Sequence, residues 1–198
     1  MSRRQIAILV GLLFLSSTAS FAVGNSLIRN HLSGAAHQDS KLLMGVLLQS
    51  YTGLAVAAIG LLLLPILKPY GRHLAAAYLA LRGLECIAIV ATGIFFLSSA
   101  SGFVNYDLLV YAFTGAGGIV LATLLLRSDF APRWLSLLAA IGYAVLLIGV
   151  VSDLLGWVDF DSPIGAAFYV PGALFEVAFP LLLIFRGFGP RHAPLLGA

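Results

Sequence analysis

The chain has 198 residues, of which 61% are hydrophobic and only 10% are charged. Soluble domains carry about 25% charged residues, so the composition excludes an ordinary water-soluble domain. The formal net charge is +3. The basic residues lie between apolar segments, where they face the cytoplasm and the lipid headgroups. We therefore predict no nucleic-acid partner.

Six apolar segments are long enough to cross a membrane, since about 20 helical residues span a hydrocarbon core of roughly 30 Å. The sequence predicts an all-α fold, a polytopic bundle of six transmembrane helices that forms one domain over residues 1–198. The predicted spans cover, in chain order, residues 5–24, 42–67, 74–98, 106–126, 134–155 and 164–185.

The first of these segments also resembles a secretory signal. It begins with basic residues, continues with an apolar stretch and ends in small residues, as MSRRQIAILVGLLFLSSTASFAVG. Its apolar run is longer than the core of a usual signal peptide, so we expect it to remain as the first span.

The distribution of lysine and arginine predicts the orientation. An even number of spans puts both termini on one side, and short cytoplasmic loops hold the excess of basic residues. The opposite side has only Arg29 and Lys41. We therefore expect both termini to be cytoplasmic, because their side collects Arg3, Arg4, Lys68, Arg72, Arg127, Arg133, Arg186 and Arg191.

The sequence predicts neither a metal site nor a cofactor. The TGAGG segment at 114–118 follows no strand, so it indicates close helix packing rather than a phosphate-binding loop. The histidines all lie in connectors or tails without a usable ligand spacing, at His31, His37, His73 and His192.

Three ionisable residues stand out well inside the predicted spans: Arg82, Glu85 and Glu176. A charge at the bilayer centre costs about 2.5 to 3.5 kcal/mol, so such residues usually face the bundle interior and mark function. At 1.5 Å per residue all three lie roughly 12 to 16 Å from the cytoplasmic ends of their spans. Arg82 and Glu85 are three residues apart and share a helix face.

Two interpretations of this layer remain open. The simpler one is a structural ion pair that fixes two helices. In the other, two carboxylates opposite one arginine leave one negative charge uncompensated in a low-dielectric layer. That carboxyl group would either hold a proton or await a cationic partner.

Further polar residues are candidates for lining a cavity. Gln49 and Tyr51 lie in the second span, Tyr143 lies mid-span in the fifth, and Asp153 lies near the end of the fifth span. The SSTAS segment at 16–20 is typical of helix contacts. Two prolines in the sixth span lie on either side of Glu176 and favour a kink there.

The motifs AAYLALRGLECIAI, RSDFAPRWLSLLAAIGYAVLLI and PGALFEVAFPLLLIFRGF together resemble the bacterial membrane family catalogued as domain of unknown function 4386. The resemblance implies six helices and a location in the bacterial cytoplasmic (plasma) membrane. It implies no activity. The matching features fall at Arg82, Glu85, Pro132, Arg133, Glu176, Arg186 and Gly187.

Three functions follow as hypotheses. In the first, Glu85 and Glu176 act as catalytic acid and base on a hydrophobic substrate, in an isomerisation or cyclisation of an isoprenoid type. In the second, the same groups relay protons in a small transporter. In the third, Arg82 binds a lipid headgroup or fixes helix packing.

We rank a binding site for a lipid or hydrophobic small molecule first, with chemistry ahead of transport. A homo-oligomer is compatible with the sequence. The residues expected to bind the ligand are Arg82, Gln49, Tyr51, Tyr143 and Asp153.

Overall fold

The computed structural model describes residues 1–32, 39–98, 106–160 and 162–189. Three residues that entered the predictions above, Arg191, His37 and His192, lie outside this part. Within it the chain forms a short 3-10 turn at Lys68–Tyr70 and seven α-helices. These are α1 (Arg3–Leu32), α2 (Asp39–Leu67), α3 (Arg72–Ser98), α4 (Tyr106–Ser128), α5 (Arg133–Leu154), α6 (Pro163–Ala166) and α7 (Val170–Phe185).

Six helical segments in the described ranges are long and apolar enough to cross a membrane. Five of them are α1 to α5, and the sixth is formed by α6 and α7 together, over Pro163–Phe185. The predicted all-α bundle of six transmembrane helices is thereby confirmed. The chain turns between α6 and α7, and α7 begins with Pro171 in its first turn, where a missing N–H costs no hydrogen bond.

Helix α1 extends well past the apolar segment that predicted it. Polar residues continue the helix to Leu32, and one of them ties it to the start of α4. Nη2 of Arg29 lies 2.5 Å from Oδ2 of Asp107, whose side chain is only 5% exposed. The extension is thus held by an ion pair between two helices.

The spans are arranged as a ring in chain order. Each of α1 to α4 packs against its successor, and α7 packs against both α5 and α1, which closes the ring. A ring of six places α3 opposite α7, α1 opposite α4, and α2 opposite α5. The helices that carry Arg82 and Glu176 therefore face each other across the centre.

Small residues bring α7 close to its neighbours. A Cβ atom added to Gly142 in α5 would lie only 2.7 Å from the backbone nitrogen of Gly172 in α7. One added to Gly11 in α1 would lie 2.8 Å from the carbonyl oxygen of Pro180. Glycine at these crossings lets the backbones approach, as in other membrane helices.

The outward surface of the ring is apolar, as a lipid-facing surface must be. In α2 the leucines Leu47, Leu54 and Leu61 recur every seven residues and are 56%, 64% and 60% exposed. The opposite face of the same helix buries Val56, Ile59 and other residues. Exposed leucines at a helical period would be unfavourable in water but suit a hydrocarbon environment.

We call the side of the bundle with the start of α1 and the end of α7 the terminal side. Nη2 of Arg4 donates to the carbonyl oxygen of Ile184 at 2.6 Å, which joins these two ends. Towards this side the centre of the ring is filled with packed apolar side chains that are at most 1% exposed: Val10, Leu63, Tyr78, Leu121, Leu124, Phe179 and Leu183.

Candidate functional site: a central intramembrane cavity

A cavity of about 290 Å³ lies at the centre of the ring. All six spans contribute to its wall. The lining residues of α4 and α7 belong to the first two or three turns of those helices, which begin on the side opposite the termini. The cavity therefore occupies the middle and the far half of the bundle, beyond the packed apolar layer of the terminal side.

The first polar group on the wall is the pair predicted in α3. Nη1 of Arg82 donates to Oε2 of Glu85 at 2.7 Å, and the two residues are 2% and 3% exposed. The hydroxyl of Thr114 in α4 donates to the other oxygen, Oε1, also at 2.7 Å. Both oxygens of Glu85 are thus occupied, and its charge is balanced by Arg82.

The rest of the Arg82 guanidinium packs against α3 and α4. Its Cζ lies 5.3 Å from the centre of the Tyr78 ring, within the range of a cation–π contact. A Cβ atom added to Gly117 would lie 3.6 Å from Nε and 3.7 Å from Nη2. These two nitrogens, which have no hydrogen-bond partner in the described part of the chain, therefore lie close to α4.

The second polar group is Glu176, on the facing wall. Its Oε1 accepts a hydrogen bond from the hydroxyl of Tyr143 at 3.1 Å, and its Oε2 accepts one from the hydroxyl of Thr18 at 3.2 Å. Among the described residues it forms no ion pair with Arg82. Glu176 is thus held by two neutral hydroxyl groups.

Aromatic rings make up much of the remaining wall. Phe21, Tyr111 and Tyr169 form a cluster at the end away from the termini, with ring centres 5.9 Å apart for Phe21 and Tyr111 and 5.6 Å apart for Tyr111 and Tyr169. Phe14 and Tyr143 line the end of the cavity nearer the terminal side. The cavity is therefore apolar and aromatic around two separated carboxyl groups.

The cavity wall between α1 and α7 consists of small residues away from the terminal side. Ala22 and Ala173 line the cavity, and both are exposed. The same two helices are in tight contact on the terminal side at Gly11. Small side chains on both helices therefore form this part of the wall.

Four of the predicted site residues line this one cavity: Arg82, Glu85, Tyr143 and Glu176. The other three lie elsewhere. Gln49 is buried between α2 and α1, where its Cγ is near Gly24. Tyr51 is 41% exposed and contacts the hydroxyl of Ser16 at 2.7 Å. Oδ2 of Asp153 accepts from the backbone N–H of Phe160 at 2.7 Å and organises a connector.

Sequence reasoning did not assign Thr18, Thr114 or Tyr169 to the site. The two threonines belong to segments that were attributed to helix packing, SSTAS and TGAGG. Their polar character within apolar spans was the available signal. Within the described ranges, no group of three His, Cys, Asp or Glu side chains could hold a metal ion.

The fold and the cavity define a multi-pass membrane protein with a central intramembrane site. The chain belongs to the family described as domain of unknown function 4386, whose model matches residues 7–106 and 103–187. This match confirms the resemblance of its motifs. No curated protein and no solved structure matches the chain.

Proposed function

We propose that this protein binds a hydrophobic small molecule in its central cavity, with the polar part of the ligand at Glu176. The single observation that supports this most is the combination of an apolar, aromatic cavity inside the bundle with a carboxyl group that has no ion-pair partner among the described residues. A charged residue in a membrane span is costly. A ligand that contacts the Glu176 carboxyl group would offset this cost.

The size of the cavity limits the ligand. Pockets for small molecules typically measure about 300 to 1,000 Å³, and this one measures about 290 Å³. The volume suits a compact molecule or one segment of an acyl or isoprenoid chain, and it is too small for a complete two-chain phospholipid.

The ligand would enter from the bilayer, between α1 and α7. Ala22 and Ala173 are small, exposed and part of the cavity wall, whereas the terminal side is closed by packed apolar side chains. A hydrophobic ligand concentrates in the bilayer, so a path between these helices spares it a passage through water.

Native mass spectrometry combined with lipidomics tests this function. We expect the protein, gently extracted from its own membrane, to retain a defined small hydrophobic molecule, and the variant Glu176→Gln to lose it or retain less. A parent protein that carries only bulk lipids, in the proportions of the surrounding membrane, would contradict the proposal.

A second candidate function is acid–base catalysis on the bound molecule. The observation that favours it is the position of Glu85 and Glu176 on facing walls of one apolar cavity. In such a cavity a general base, and a group that stabilises developing positive charge, are more effective than in water. This function ranks second because Glu85 is already paired with Arg82, and the described residues place no further Asp or Glu on the cavity wall besides Glu176.

Turnover of the co-purified molecule distinguishes the two candidates. Incubation in nanodiscs, followed by product analysis, should give an isomer or cyclised product with the parent and none with Glu85→Gln or Glu176→Gln if the protein is an enzyme. If the parent protein leaves the molecule chemically unchanged, the result supports binding without catalysis.

A further inference from the structure

We infer that the ligand of this cavity carries a positive charge, and that the site takes a hydrophobic amine or quaternary ammonium group with Glu176 as its counter-ion. This inference rests on the proposed binding function and narrows its ligand class. It depends on the charges, hydrogen bonds and aromatic rings of the cavity wall.

The formal charge of the wall is negative. Among the described residues, the Asp, Glu, Lys and Arg side chains on the wall are Arg82, Glu85 and Glu176. Arg82 and Glu85 form a buried ion pair at 2.7 Å, so together they contribute no net charge. Glu176 remains, and a ligand with one positive charge would bring the cavity to neutrality.

Both carboxyl oxygens of Glu176 lie within hydrogen-bond distance of a hydroxyl group, and each keeps room for a further partner. Thr18 and Tyr143 each donate to one of its oxygens, and a carboxylate has about four acceptor positions on its two oxygens. The hydroxyl groups orient the carboxyl group without neutralising it. Acceptor positions therefore remain for an ammonium N–H, and the uncompensated charge attracts a quaternary ammonium group as well.

The aromatic wall suits the same group. A cation over the face of a Tyr or Phe ring is attracted by the negative face of the ring, most strongly when it is desolvated, and quaternary ammonium ligands are commonly bound in aromatic cages. Five rings line this cavity, from four different spans: Phe14, Phe21, Tyr111, Tyr143 and Tyr169.

An anionic ligand fits less well. The arginine that would hold it already pairs with Glu85, and its Nε and Nη2 lie against α4 at Gly117. An anion would also face the negative charge of Glu176. A neutral ligand would fill the volume but would leave that charge unmatched in a low-dielectric site.

Two probes of the same shape test the inference: benzyltrimethylammonium, and neopentylbenzene, in which carbon replaces the charged nitrogen. We would measure the thermal unfolding midpoint of the full-length protein in nanodiscs over a concentration series of each probe. A ligand that binds only the folded protein raises the midpoint. The comparison uses the parent protein, so it remains decisive even if a variant fails to fold.

The variant Glu176→Gln keeps the shape of the side chain and removes its charge, and Asp39→Asn removes a charge from an exposed position outside the cavity. We expect the cation to bind the parent at least about tenfold more tightly than the neutral probe, which is the ratio that roughly 1.4 kcal/mol gives. We expect Glu176→Gln to abolish this preference and Asp39→Asn to keep it.

Each of the other outcomes would contradict a specific part of the inference. Equal binding of both probes would overturn the cationic ligand and leave the proposed hydrophobic binding function intact. Cation binding that survives in Glu176→Gln would overturn the role of Glu176. If neither probe shifts the midpoint of the parent protein, both the inference and the proposed function fail.

Discussion

The hydroxyl group of Tyr143 in α5 donates a hydrogen bond to Oε1 of Glu176 in α7, over 3.1 Å. The neighbouring residue, Gly142, lies at a close approach of α5 and α7, against Gly172. Gly172 is about one helical turn from Glu176. Close backbone approach at this crossing therefore brings the side chain of Tyr143 within reach of Glu176.

Removing this hydroxyl group should weaken both the bundle and the site. We expect Tyr143→Phe to lower the free energy of unfolding by on the order of 1 kcal/mol, as for other hydrogen bonds between membrane helices, and to reduce the amount of co-purified ligand. Unfolding in mixed micelles measures the first effect and native mass spectrometry the second. Tyr70→Phe is the control, since that ring packs on Phe130 at 4.9 Å outside the cavity. Equal effects of both substitutions would contradict the assignment.

The crossing itself can be tested with a matched pair of glycines. Gly142→Ala would place a Cβ atom 2.7 Å from the backbone of α7, whereas Gly83→Ala would meet nothing within 4 Å. Because a backbone neighbour cannot rotate away, we expect Gly142→Ala to cost about 1 to 3 kcal/mol of stability. Gly83→Ala should be neutral or stabilising by up to about 1 kcal/mol, since alanine favours helix. Thermal unfolding compares them, and a stable Gly142→Ala would show that the helices are farther apart.

The buried ion pair of Arg82 and Glu85 predicts that substitutions at these two residues have strongly non-additive effects on the free energy of unfolding. Loss of one partner from a buried ion pair typically costs about 3 to 5 kcal/mol, because it strands the other charge, whereas replacing both is often nearly neutral. We expect Arg82→Met and Glu85→Met each to destabilise the protein severely and the double substitution to recover much of that loss. A double-mutant cycle on the free energy of unfolding measures the coupling. Additive losses would contradict the pairing.

The sequence predicted those parts of the molecule that depend on local pattern. The six spans follow from the length of apolar segments. The contact between Arg82 and Glu85 follows from their spacing of three residues on one helix, and it forms at 2.7 Å. Both features need no knowledge of how helices pack.

The partners of Glu176 could not be predicted in this way, because they belong to other helices. Tyr51 and Tyr143 are both tyrosines inside apolar spans, yet the first is 41% exposed and the second is 1% exposed. The difference comes from the rotation of each helix about its axis, which is set by its neighbours in the ring. Thr18 contacts Glu176 only because α7 closes the ring against α1.

The orientation of the bundle in the membrane remains a prediction from the basic residues. We expect the terminal side to be cytoplasmic. A green fluorescent protein fused to the C-terminus of the full chain should then fluoresce, and alkaline phosphatase fused at the same position should be inactive. The reverse pattern would place the terminal side, and the packed layer beneath the cavity, towards the outside.

The proposed entry between α1 and α7 predicts a substitution that blocks the site without disturbing the core. Ala173 lines the cavity and is exposed, so a larger side chain has room at this position. We expect Ala173→Phe to fold with nearly unchanged stability but to lose most of the co-purified ligand. Leu174→Phe is the matched control, because Leu174 is the adjacent residue, is 57% exposed and does not line the cavity.

Native mass spectrometry of both variants, extracted from the same membrane, measures the fraction of ligand-bound protein. Ligand lost only from Ala173→Phe would locate access or binding at the wall between α1 and α7. Equal retention in both variants would mean that the molecule reaches Glu176 by another path or binds elsewhere. Loss of ligand from both variants would indicate an effect on the α7 surface as a whole. The proposed entry between α1 and α7 would then be contradicted.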